Sequence, residues 1–148
     1  MSLTPEQFIS MLRSAPQKLS EVDLTEPLTA ASEVIYESVG RNFSRQVDET
    51  GSHWPPRRDK LPHPLLLLTL AMSTAATGGP GSIRVVGKKS LKLGIDSSKV
   101  HYWRKHQDGD GVPRRRYFFL HVDERGSVIK VFGDASKPIV LKQVFGRG

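Results

Sequence analysis

The chain has 148 residues and a mass of 16.5 kDa, the size of one domain built round one core. Its 22 Lys and Arg against 15 Asp and Glu give a formal charge of +7, which favours an anionic partner or an acidic neighbour. It has no cysteine, so disulfide frameworks, thiolate metal sites and cysteine nucleophiles are excluded together.

The charge is split along the chain. Residues 1–50 hold eight acids and four bases, whereas residues 51–148 hold seven acids and eighteen bases. Such a dipolar chain is suited to head-to-tail pairing with a copy of itself, or to presenting one face to an anion. The apolar run 65–72 is far shorter than the roughly 20 residues a membrane helix needs, and the first residues lack a basic-then-apolar leader. The expectation is a soluble, unexported protein without membrane contact.

Thr4, Pro5 and Gln7 spell a capping box with proline in the first turn, which predicts a short helix carrying Phe8, Ile9 and Leu12 and ending near Pro16. Residues 1–24 read as this helix and a linker. A longer helix is expected from Thr25, with Leu28, Ala31, Ile35, Val39, Phe43 and Val47 forming an apolar stripe and Glu33, Glu37, Arg41 and Arg45 opposite it. Prolines 55, 56, 62 and 64 with Gly51 make residues 48–64 a long connection, which Trp54 is expected to pin by burying its side chain.

A third, apolar helix is expected over 65–76, then a Gly-rich turn. Ile83, Val85 and Val86, followed by Leu91, Leu93 and Ile95, alternate with polar residues on either side of 87–90, the signature of a β-hairpin. Its outward face carries Arg84, Lys88, Lys89 and Lys92. Residues 107–113 read as a mobile Gly/Asp loop, and Arg114, Arg115, Arg116, Tyr117, Phe118, Phe119 and Leu120 as a strand. A helix is expected from about Asp123, and a last β-like patch over 139–141. The elements together predict an α+β fold, with a long amphipathic N-terminal helix packed on a small, mainly antiparallel sheet.

Catalytic chemistry finds little support. None of the five histidines (53, 63, 101, 106, 121) lies four residues from another, so no helix face offers a metal pair. Asp108 and Asp110 suggest a calcium loop, yet His106 and Tyr117 stand where its terminal carboxylates belong. Asp96, Asp108, Asp110 and Asp123 lack the clustering a nuclease needs for metal. No catalytic residue, cofactor or metal ligand is assigned.

Phe43, Gln46, Asp48, Gly51, Trp54 and Pro55, then Leu67, Leu68 and Thr69, then Tyr102, His106 and Gln107, and finally Arg116 and Phe118, resemble in order and spacing the bacteriophage virion morphogenesis, or tail completion, family. The block Gln-x-Asp-x-x-Gly-x-x-Trp-Pro carries the most specific part. The resemblance spans about residues 25–133 and leaves 134–148 as an extension. Leu70, Trp103 and Tyr117 depart from the Gly, Ala and Pro usual in that family. The resemblance implies a structural protein of the head–tail junction, without catalysis, forming a ring that is six-fold like the tail tube it would meet. It also implies neck, connector and tail-tube neighbours, and a place in the virion after assembly in the host cytoplasm.

The cations then have two expected roles. Arg114, Arg115 and Arg116 would pair with Glu33, Glu37 and Glu49 of a neighbouring subunit, while Arg84, Lys88, Lys89 and Lys92 would face packaged DNA without reading its sequence. The alternative is a stand-alone nucleic-acid-binding module resting on the Arg–aromatic run.

Overall fold

The computed structural model describes residues 4–56 and 70–146. Thr4 and Gln7 close the expected capping box, with the Gln7 amide donating to Thr4 Oγ1 and the Thr4 amide to Gln7 Oε1. Helix α1 (Pro5–Ser20) runs through Pro16 instead of ending there. Proline removes one backbone donor and kinks a helix without necessarily stopping it. Here the last turn is fastened from outside, because Lys18 Nζ donates to the Val144 carbonyl at 3.2 Å.

Helix α2 (Thr25–Arg45) starts where expected, its first turn anchored by Asp23, whose carboxylate accepts from the Thr25 amide and hydroxyl. Hydrogen bonds from Thr25 hold that carboxyl below its ordinary range. Ala31, Val39 and Phe43 are buried as the stripe predicts, but so are Ser32, Tyr36, Ser38 and Asn42. The helix is covered on two sides: α3 (Ala71–Ala76) and the hairpin lie against one, and α5 (Val122–Phe145) against the other. The 65–69 part of the expected third helix lies outside the described residues.

Strands β1 (Ser82–Val86) and β2 (Leu91–Ile95) form the hairpin, antiparallel with Ser82 opposite Ile95 and Val86 opposite Leu91. Its tip is tied to the α1–α2 linker, since the Leu24 amide donates to the Lys88 carbonyl at 2.8 Å and Lys89 Nζ donates to the Ser20 carbonyl. At the other end of the hairpin Gly78 (φ +92°) lies so close to the Tyr36 ring that a Cβ would sit 2.9 Å from it.

Three expectations need correction. Residues 103–108 form a short helix, α4 (Trp103–Asp108), where part of a mobile loop was expected; Gly109 (φ +82°) ends it in the left-handed conformation. The 139–141 patch belongs to α5, not to a strand: Phe132, Ala135 and Ile139 recur at helical spacing and are part-buried, and the helix passes through Pro138. Residues 114–120 are extended without being a strand of the sheet. Their backbone groups are taken by side chains, as described next.

The architecture is α+β, with the N-terminal helices on a two-stranded antiparallel sheet. Val39, Phe43, Trp54, Met72, Ala75, Ala76, Ile95, Val100 and Tyr117 make the core. Among the described residues no helix is long and apolar enough to cross a membrane.

Candidate functional site

Residues far apart in sequence meet where the end of α2 turns back. Gln46 closes α2 in the left-handed conformation (φ +52°), its amide donating to the Asn42 carbonyl at 2.9 Å. The chain then folds into a tight loop round Asp48, whose Oδ1 accepts from the Thr50 amide, the Thr50 hydroxyl and the Ser52 amide at 2.6–3.0 Å. The Thr50 hydroxyl bond, aided by the two amides and the Arg114 charge, outweighs burial and keeps this carboxyl below its usual range. Gly51 turns at φ +83°, a conformation that suits glycine. Val47 pairs with His53 as an isolated bridge, and the Trp54 amide donates to the Gln46 carbonyl at 2.8 Å. Each of these steps serves to deliver Trp54.

Trp54 is only 4% exposed and meets Phe43 edge-on, with ring centroids 6.0 Å apart and planes at 88°. Its Nε1 donates to the Arg116 carbonyl at 3.0 Å. Tyr117 packs on the other side of Phe43, centroids 4.8 Å apart, and its hydroxyl donates to the Trp103 carbonyl at 3.2 Å. Burial raises the Tyr117 phenol above its ordinary range. The expectation that Trp54 pins the connection by burial agrees with this geometry.

The 114–120 segment is held by two amide side chains. Gln107 Oε1 accepts from the Tyr117 and Phe118 amides at 3.2 and 3.1 Å, while its Nε2 donates to the Phe118 carbonyl at 3.3 Å. Asn42 Nδ2 donates to the carbonyls of Tyr117 and Phe119 at 2.8 and 3.0 Å. A buried backbone must find partners somewhere, and here Gln107 and Asn42 stand in for a neighbouring strand. Tyr102 and His106 lie edge-to-face in the same region, and the Arg115 amide donates to the His106 carbonyl at 2.8 Å. Burial, with the Arg115 charge, pushes the His106 imidazole below its ordinary pKa.

The structure thus brings together Phe43, Gln46, Asp48, Gly51, Trp54, Pro55, His106, Gln107, Arg116 and Phe118, with Tyr102 stacked at their edge; Thr69 and His63 lie outside the described residues. The two strongest contributors that sequence reasoning missed are Asn42 and Glu124. Both are polar residues buried at helical positions that a hydrophobic stripe assigns to no one. Glu124, in the first turn of α5, accepts from the Ser38 hydroxyl and from Arg41 Nε at 3.0 Å, with Arg45 at 3.6 Å. Burial pushes its carboxyl up, but the Ser38 and Arg41 hydrogen bonds and the Arg41 charge outweigh this and hold it below its ordinary range.

The cations largely find their partners within the chain. Arg114 and Arg116 both reach Glu49 Oε1, at 3.0 and 2.6 Å, and Arg84 reaches Glu33 Oε1 at 2.5 Å while lying over the Tyr36 ring. Arg115 is buried, with Nε and a terminal nitrogen donating to the carbonyls of Pro55 and Pro56 at 3.1 and 3.2 Å. The expected pairing of Arg114 and Arg116 with a neighbour's acids is therefore corrected: Glu49 of the same chain already takes both. Of the hairpin lysines, Lys89 is bonded to the α1–α2 linker, and Lys88 and Lys92 are exposed.

Among the described residues no group of three or more His, Asp or Glu side chains is placed to hold a metal ion. The arrangement has the chemistry of a fastening: buried aromatics, satisfied amides and short ion pairs that tie the end of α2 to the 114–120 segment. Compared with protein-family models, curated proteins and solved structures, the chain matches none of them.

Proposed function

We propose that this protein is a structural subunit of the bacteriophage head–tail junction, a ring component that completes the tail or joins it to the capsid, with no catalytic step of its own. The observation that supports this best is the convergence of the tail-completion motif. Residues scattered from Phe43 to Phe118 in sequence meet in one packed cluster, where each has a positioning job. Motif residues spent on holding a loop fit a protein whose output is shape and assembly.

The cations bear on the alternative. A free nucleic-acid-binding module needs its arginines available to phosphate, whereas Arg84, Arg114 and Arg116 are each ion-paired and Arg115 is buried against backbone carbonyls. Contact with packaged DNA is accordingly assigned a minor, sequence-blind role through Lys88 and Lys92. The partners are copies of the chain in a six-membered ring and the connector and tail-tube proteins on either side, in the virion after assembly in the host cytoplasm.

The test is mass measurement of the purified protein and of particle fractions, with imaging of particles made without it. Incorporation into virions, and accumulation of separate heads and tails in its absence, are the expected results. A soluble monomer absent from particles, binding DNA with a defined site size, would replace this reading by the alternative.

A further inference from the structure

Two apolar features lie on different parts of the surface, one convex and one concave. The convex one is α1. None of its residues is buried, and Phe8, Ile9, Leu12 and Leu19 are 43–53% exposed. Phe8, Leu12 and Leu19 lie on one side of the helix by their spacing, away from Ser14, Ala15 and Lys18, which are part-buried on the α5 side. The concave one is a groove of about 250 Å³, almost wholly apolar, lined by Ile35 and Val39 of α2, Leu91 and Leu93 of β2, and Phe118 and Leu120. It is large enough for one or two apolar side chains.

The two cannot meet within one molecule. Leu120 in the groove immediately precedes α5, whereas Lys18 of α1 is fastened to Val144 near its end. At 1.5 Å per residue the 24-residue α5 separates these points by roughly 36 Å. A helix of 16 residues is about 24 Å long and 10–12 Å across. Laying its open face on the groove and its surround hides on the order of 500 Å² from each copy, about 1,000 Å² in all, which is where specific interfaces begin.

From this pair we infer that a second copy of the chain is the occupant of the groove, with the Phe8–Leu12–Leu19 face of α1 seated against Leu91, Leu93 and Phe118 of its neighbour. The contact is heterologous, each copy giving a helix on one side and a groove on the other, so its repetition generates a ring if the rotation closes. It supplies the interface of the ring proposed above and rests on that reading only for closure.

The absence of cysteine makes the test clean. Leu12→Cys and Leu93→Cys variants, mixed and treated with a short bis-maleimide, are expected to give a mixed covalent dimer, and the double variant a ladder of multimers. Leu12→Asp, at a site already 53% exposed, is expected to weaken self-association by tenfold or more in sedimentation while leaving the unfolding midpoint unchanged. A ladder that vanishes with Leu12→Asp supports the contact. Cross-linking of Leu12→Cys only to itself would overturn it in favour of paired α1 helices, and a chain that stays monomeric at high concentration would overturn it outright. If the ladder forms but the protein is absent from virions, the contact stands and the junction reading falls.

Discussion

The fastening round Trp54 and the α1 arm are built on opposite plans. At the fastening, the Trp54 indole, the Gln107 amide, the Asn42 Nδ2 group and the Asp48 carboxylate all have partners, and the rings of Phe43, Trp54 and Tyr117 are out of water. Helix α1 has the strongest amphipathic pattern in the chain's opening, yet it buries no residue. An apolar stripe kept in water contributes nothing to the stability of one molecule, so its energy is available only to an association. The stability of the subunit and its capacity to assemble are thus lodged in different residues, and substitutions should separate them.

The largest effect is expected at Trp54. Trp54→Ala removes the buried ring and leaves the Arg116 carbonyl without its donor, and should cost about 3–5 kcal/mol in urea unfolding. A midpoint unchanged by this substitution would break the contrast between the two regions. Next is Glu124, where Glu124→Gln should cost about 1–3 kcal/mol by weakening its bonds to Ser38 and Arg41. Because its folded pKa lies below the ordinary value of 4.5, its contribution is complete above that pH and is lost as pH falls through the lowered folded value. The Glu124→Gln variant should therefore show a flatter acid limb in a stability–pH curve; an unaltered limb would remove Glu124 from the account.

Smaller still is the Glu49 pair. Glu49→Gln loses two ion pairs whose side chains are about a third or more exposed, so about 1 kcal/mol or less is expected, diminishing with added salt. The smallest change in unfolding belongs to α1, where Leu12→Asp should move the stability of the monomer by no more than about 0.5 kcal/mol. A large loss of monomer stability there would place α1 in the core and remove the contrast.

What was legible in the sequence follows from where the determining interactions lie. Helix α2 and the hairpin are local patterns, a 3.6-residue stripe in one case and alternation about a turn in the other, and both appear where expected. The Arg114–Leu120 stretch has strand propensity and extended geometry, but its hydrogen-bond partners are the side chains of Gln107 and Asn42. No periodicity encodes that. Residues 139–141 read as strand because three branched or long apolar residues adjoin, while the helix they belong to is set by packing on α2. At the site, the motif spacing pointed to Trp54 and Gln107, but the polar anchors Asn42 and Glu124 are defined only by what the fold puts opposite them, and the ion-pair partners of Arg114 and Arg116 turned out to lie in the same chain.

The bond from Asn42 to the Tyr117 carbonyl spans 75 positions along the chain, and that from Trp54 to the Arg116 carbonyl spans 62. Closing loops of that size is an entropic cost met before any contact rewards it, so such closures govern the rate at which a chain reaches its native state. Helix α2 and the β1–β2 hairpin need only near neighbours and can form early. The fastening cannot begin until residue 117 is present, which during synthesis means after nearly four fifths of the polypeptide has been made. Until then the rings of Phe43 and Trp54 have no lasting cover, and the nascent chain is open to the off-pathway association that its finished form confines to the surface of α1.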